Sequence, residues 1–182
     1  MSIYRPEFEA ALIIFAKVSE AIESRGFAAP VLVGGAAVEL YSGSAIATGD
    51  FDVVTARDDI FEDVLFAHGF VRPTGAGIMT RGWVHPDLQL GFEIVGSTLL
   101  DGKAEHDRVR LIDIASGEHF AVISVEDLIA DRMGQYHSGS APDMLGQARA
   151  LFRLYQGEDI SYLERRIREE TSNDYGIAEL ES

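Results

Sequence analysis

The sequence predicts an α+β fold: a mixed, twisted β-sheet with one helix before it and helices alone after it. Three observations predict it. Val31 to Thr55 reads as strand, glycine turn, helix, loop and strand. Ahead of it, Phe8, Leu12, Phe15, Val18 and Ile22 recur at helical spacing. At Ser124 the texture changes, and only helical patterns follow.

The first helix is expected from Pro6 to Arg25, because Pro6 suits a first helical turn and Gly26 suits a C-terminal cap. Val31, Leu32 and Val33 form a short apolar run, the mark of a buried strand. Gly34-Gly35 follows at once, then a helix from about Ala36 to Tyr41 with Gly43 as its stop. Asp50-Phe51-Asp52-Val53 alternates polar and apolar, so it reads as a strand with two unlike faces. Asp58 or Asp59 caps a helix that runs through His68 to Gly69. Phe70 to Val84 reads as a loose hairpin, with Phe70-Val71-Arg72 opposite Ile78-Met79-Thr80. Leu88 to Val95, Val109 to Ile114 and His119 to Ile123 read as strands.

Ser124 with Asp127 resembles a capping box, and a helix to about Tyr136 should follow. A second helix should open at Pro142-Asp143 and run to Tyr155, and Asp159 should cap a third. These elements divide the chain into a core over residues 1–123, a helical extension of the same domain over 124–170, and a polar tail over 171–182 expected to fray.

The length of 182 residues suits one domain, and 47% apolar residues suffice for an interior. No run is long and apolar enough to span a membrane, and the N-terminus has no secretory pattern. Without cysteine there are no disulfides or thiolate metal sites, and a cytoplasmic location is the default expectation. A formal net charge of −15 argues against extended nucleic-acid binding, which needs a basic field. Only Lys17 and Lys103 of the fifteen basic residues are lysines, which favours specific arginine contacts over diffuse positive patches.

The unit from Val31 to Thr55 carries the chemistry. Strand side chains alternate, so Asp50 and Asp52 share one face while Phe51 and Val53 pack on the other. Neighbouring carboxylates repel each other unless a cation lies between them. A glycine turn that opens a helix offers N–H groups to an anion. One short unit thus supplies a place for phosphate and a place for a divalent cation. Glu93 sits between Phe92 and Ile94 on a later strand.

Strand, Gly-Gly, helix, Asp-x-Asp and a later apolar-Glu-apolar strand together resemble the DNA polymerase β-like nucleotidyltransferase superfamily. The resemblance is to its small bacterial members, including those allied to abortive-infection and toxin–antitoxin systems. It covers Phe27 to Val95, and Ser124 to Tyr136 looks like the segment that follows the catalytic sheet in these members. It implies that Gly34 and Gly35 hold the phosphates of a nucleoside triphosphate such as ATP. It implies that Asp50, Asp52 and Glu93 are catalytic and bind two Mg2+ ions, with Mn2+ as an alternative. The reaction implied is transfer of a nucleoside monophosphate to an unidentified acceptor, and a toxin–antitoxin partner is one option. There are departures: Gly35 stands where many relatives have Ser, and Arg132 stands for a Lys on the later helix. Asp143 followed by Gln147 replaces an acidic pair.

Other readings compete. Gly-Gly is common in tight turns, and acidic pairs often lie on solvated strand faces. The alternative function is a non-catalytic binding or antitoxin-like module that keeps the fold. Arg81 is placed to meet phosphate and Trp83 to stack on a base, but both suit ordinary surface roles, as does Lys103. The five histidines show no pair at ligand spacing, which argues against zinc. Arg132-x4-His137 resembles a helical ribonuclease motif, but the helices are too few for that fold and Gly134 interrupts the segment.

Overall fold

A computed structural model describes residues 3–73, 82–88, 91–115, 117–155, 157 and 159–181. The helices are α1 (Pro6–Glu23), α2 (Gly34–Ser42), α3 (Asp58–Ala67), α4 (Val125–His137), α5 (Met144–Leu154) and α6 (Ile160–Glu170). The strands are β1 (Val31–Val33), β2 (Asp50–Val54), β3 (Trp83–Val84), β4 (Gly91–Gly96), β5 (Arg110–Asp113) and β6 (His119–Val122). They form one mixed sheet in the order β3-β4-β2-β1-β6-β5. The pairs β1–β6 and β2–β4 are parallel, while β1–β2, β3–β4 and β5–β6 are antiparallel. This is the α+β class expected from the sequence, with a helix before the sheet and three after it.

Alternation along β2 decides which face is dry. Phe51 and Val53 are fully buried, and Phe51 is the register partner of Phe92 on β4. Their rings lie 4.8 Å apart. From α1, Phe8 and Phe15 stack onto this pair at centroid distances of 5.3 and 5.8 Å, and Phe15 also meets Phe120 of β6. Each such ring removes a large apolar area from water, so this aromatic layer fastens α1 to the sheet. The opposite face of β2 carries Asp50 and Asp52, and it looks toward α2 and α4.

The C-terminal helices are joined by a buried ion pair. Asp127 of α4 and Arg166 of α6 are 1% and 0% exposed and meet at 2.7 Å. Ser124 and Tyr162 hydroxyls donate to the same carboxylate. Ser124 also accepts from the Asp127 amide, so the N-cap half of the expected capping box is present. The Asp127 carboxylate is drawn instead to α6, which helps fix the α4–α6 packing.

Val71 bridges Val84, and its expected partners Ile78, Met79 and Thr80 lie outside the described residues. One expectation changes. The tail expected to fray is docked as far as Leu180. Thr171 is fully buried, and Leu180 is only 2% exposed. The Ile177 amide donates to Glu164 at 2.7 Å, the Gly176 amide donates to Glu179, and Arg149 donates to the Glu179 carbonyl. The polar composition conceals an apolar anchor and carboxylates that receive the turn's N–H groups. No helix among the described residues is long and apolar enough to cross a membrane.

Candidate active site

The glycine turn and Asp52 are in direct contact. Val33 is the register partner of Asp52, so the end of β1 brings Gly34 and Gly35 beside that carboxylate. The Gly35 amide donates to Asp52. Gly34 has φ +60°, and a Cβ there would clash with Asp52 Oδ2. Both the left-handed backbone and the close approach require glycine at this position. A Cβ on Gly35 would come within 2.5 Å of Thr48 Oγ1, so the second glycine makes room for the loop before β2.

Glu93 is the register partner of Asp52 across the parallel pair β2–β4, and Asp50 is opposite Gly91. Adjacent strands are about 4.8 Å apart, so Asp52 and Glu93 leave the same sheet face as neighbours. Burial pushes the Asp52 carboxyl above the usual carboxylate range, and the charges of Glu93 and Asp50 push it the same way. The Gly35 amide and the Arg132 guanidinium work against that rise. Asp50 accepts from the Gly91 amide at 3.2 Å.

Asp52 and Gly34 line a cleft of about 500 Å³ between the sheet and α4. Its other wall carries Asp131, Arg132 and Gln135, and Thr98 and Asp101 lie at its rim. Gln135 donates to Asp131 at 2.9 Å, and Arg132 donates to Gln135 at 3.2 Å. Burial pushes the Asp131 carboxyl upward, against the opposing effects of Arg132 and Gln135. Arg132 is 5% exposed, and its Nε has no hydrogen-bond partner among the described residues. Its Nη2 lies 3.5 Å from Asp131, so the cleft wall carries a buried guanidinium beside a carboxylate, a positive group that an anion in the cleft can meet. At the rim, Leu100 and Asp101 have φ of +45° and +55°, a conformation that non-glycine residues rarely adopt outside tight turns and functional loops.

Asp50, Asp52 and Glu93 are hard oxygen donors on one face of the sheet, a donor set that fits a divalent cation such as Mg2+. Their mutual repulsion at Asp52 is what a cation would relieve. Among the described residues, no group of three His, Asp or Glu side chains converges closely enough to hold a metal ion as arranged. Asp50 and Asp52 are turned to backbone N–H groups; of the three predicted carboxylates only Asp52 lines the cleft, and Glu93 lines a separate hollow with Arg72 and Trp83.

The remaining candidates are placed elsewhere or not described. Arg72 lies over the Trp83 ring at 5.2 Å, Lys103 pairs with Glu170, and Arg81 is outside the described residues. His137 pairs with Asp174 at 2.8 Å. Asp131, Gln135 and Thr98 are cleft residues that sequence reasoning missed. The spacing of Asp131 and Gln135 places both on one helical face around Arg132, which was the available signal.

No protein-family model matches the sequence, and no curated protein matches it significantly. Solved structures do. An antigenic nucleotidyltransferase-like protein from Paracoccidioides brasiliensis superposes with a TM-score of 0.57 at 16% identity, covering 93% of this chain and 91% of that one. The antibiotic-resistance factor ANT(2'')-Ia superposes with a TM-score of 0.56 at 15% identity, covering 90% of this chain and 92% of that one. The chain therefore has a nucleotidyltransferase-like fold, and the likeness extends over the sheet and the C-terminal helices.

Proposed function

We propose that this protein is a metal-dependent nucleotidyltransferase that moves a nucleoside monophosphate from a triphosphate to an acceptor hydroxyl. One observation carries the proposal: a Gly-Gly turn at the start of α2 meets Asp52 on the floor of a cleft whose other wall presents the buried Arg132. The turn and Arg132 supply N–H donors for phosphate oxygens. Asp50, Asp52 and Glu93 would hold Mg2+, or Mn2+ in its place. When bound, the metal supplies charge neutralisation on the triphosphate. The acceptor oxygen attacks the α-phosphorus in line, the bond to the β-phosphate oxygen breaks, and pyrophosphate leaves. The acceptor proton passes to Glu93 or to solvent.

An antibiotic, a tRNA end, a protein side chain and a small metabolite are the acceptors to be tried, and the likeness to an antibiotic-resistance factor supports including antibiotics. Calorimetry with each of the four ribonucleoside triphosphates, with and without magnesium, tests donor binding. Labelled triphosphate in a lysate of the source cell then identifies the acceptor by what gains label. Absence of magnesium-dependent binding to any of the four rejects the proposal.

A second reading, a non-catalytic binding module on the same fold, is favoured by the unconverged carboxylates among the described residues. It predicts triphosphate binding without label transfer.

A further inference from the structure

Glu39 lies in α2 and is 0% exposed, yet it is not in the cleft. Its two oxygens accept from four donors. Arg5 Nε and Ser44 Oγ reach Oε1 at 2.6 and 2.8 Å. Arg5 Nη2 and the Thr48 amide reach Oε2 at 3.0 and 2.6 Å. Arg5 goes further: its Nη2 donates to the Thr48 carbonyl at 2.6 Å, and its amide donates to Ser44 Oγ at 3.2 Å. The loop between α2 and β2 is thereby bound at both ends, at Ser44 and at Thr48. Ser44 has φ +62°, a conformation that needs support from its surroundings.

Thr48 connects this clamp to the site. Its hydroxyl donates to the Asp50 carbonyl at 3.0 Å, and it fills the space that a side chain on Gly35 would need. One residue therefore touches both the carboxylate strand and the phosphate turn. An ion pair is an expensive way to fill a core, because apolar residues of similar volume often do as well or better. Fixing a loop is a reason to spend one here.

We propose that Glu39 and Arg5 are positioning residues for the nucleotide site, holding the Gly43–Gly49 loop so that Thr48 sets Asp50 and Gly35 in register for a metal-bound triphosphate. The assignment rests on the nucleotidyltransferase reading. It brings the segment before α1, remote in sequence from both motifs, into the working of the site. Burial raises the Glu39 carboxyl, but Arg5, the Thr48 amide and Ser44 more than offset this and hold it below the usual range. It therefore stays an acceptor for all four donors. A glutamine could not replace it, since its amide NH2 would face two donors whichever way it turned.

The test compares wild type with Arg5→Ala, Arg5→Lys and Glu39→Gln. Three quantities are read: affinity for the four ribonucleoside triphosphates with magnesium, hydrogen exchange of the amides at 44–50, and melting temperature. Arg5→Ala leaves the buried Glu39 with only Ser44 and the Thr48 amide and will lower the melting temperature, so affinity and exchange are read at a temperature where the variant is fully folded. It should weaken triphosphate binding about tenfold and speed Thr48 amide exchange by a similar factor, with exchange in α4 and α6 unchanged. Arg5→Lys, which keeps the charge without the fork, should recover part of both. A purely structural clamp would lower the melting temperature alone and leave affinity intact in folded protein. Equal affinity in wild type and Arg5→Ala, or unchanged exchange across the loop, overturns the assignment. Wild type that binds none of the four triphosphates removes the nucleotidyltransferase reading and this assignment with it, a result seen before any variant is compared.

Discussion

Glu93 on β4 stands directly across from Asp52 on β2, so the two carboxylates leave one face of a parallel strand pair side by side. Both belong to strands whose opposite faces are locked by Phe51 and Phe92, so neither strand can turn to separate them. Their repulsion is built into the sheet.

Asp52→Asn removes one of these charges while keeping the shape. Without metal the variant should melt at or above the wild-type temperature, because relief of one raised carboxylate is worth about 1 kcal/mol. Magnesium, with or without a triphosphate, should raise the wild-type melting temperature and leave the variant nearly unmoved. The exposed Asp63→Asn serves as the control that responds like wild type. Equal magnesium responses in wild type and Asp52→Asn would reject the metal site.

Arg132→Met separates binding from folding at the opposite wall. The methionine leaves Asp131 without its ion-pair partner at 3.5 Å, so it should cost up to about 3 kcal/mol, and affinity is read where the variant is fully folded. Triphosphate affinity should fall by roughly tenfold or more with the loss of an anion partner. A variant that binds triphosphate as tightly as wild type would place the phosphates elsewhere in the cleft.

Asp127→Ala should be the most damaging single change outside the cleft. It leaves Arg166 with only Glu169 and Glu170 of its own helix as partners, cuts its link to α4, and removes an acceptor from Tyr162 and Ser124. Breaking a buried pair from one side costs up to about 3–5 kcal/mol, and the remaining Glu169 and Glu170 contacts keep the loss toward the lower end. Chemical denaturation measures the loss, and a change below about 1 kcal/mol would show that α6 is not held through this contact.

Asp159 caps α6 by accepting from the Tyr162 amide and also pairs with Arg108, and these contacts lower its carboxyl from the ordinary 3.8 to about 2. A carboxylate whose folded value is depressed stabilises above its unfolded value and loses that contribution as pH falls through the folded one. The melting-temperature advantage of wild type over Asp159→Asn should therefore be constant above about pH 5, shrink between 3.8 and 2, and vanish below. An advantage that persists at lower pH would mean that the cap, not the charge, sets the difference.

Much of the fold was legible because local rules and packing agree. The alternation in Asp50-Phe51-Asp52-Val53 foretold a dry face and a polar face, and the spacing from Phe8 to Ile22 foretold the helix that covers the dry one. Gly34-Gly35 was legible as a turn, and the structure places it against Asp52. What the sequence did not reveal depends on distant partners. Glu39 looks like an ordinary helical glutamate until Arg5 and Thr48 surround it. Asp127 looks like a capping residue until Arg166 arrives from another helix. The cleft wall of Asp131 and Gln135 is visible only once α4 lies across from β2. The docked tail was hidden because Leu180, Tyr175 and Ile177, which pack on the core, are scattered through a polar stretch with no periodicity.

The order in which the cleft is assembled has a consequence for synthesis. The glycine turn and Asp52 leave the ribosome together and can pair at once through β1 and β2. Arg132 emerges much later, and its helix follows β6, which adds to β1 only after the edge strands have been made. Distant parallel pairings form slowly, because a long loop must close before any contact rewards it. A growing chain therefore carries a carboxylate strand without the opposite wall. The complete cleft exists only once α4 has left the ribosome and packed across from β2.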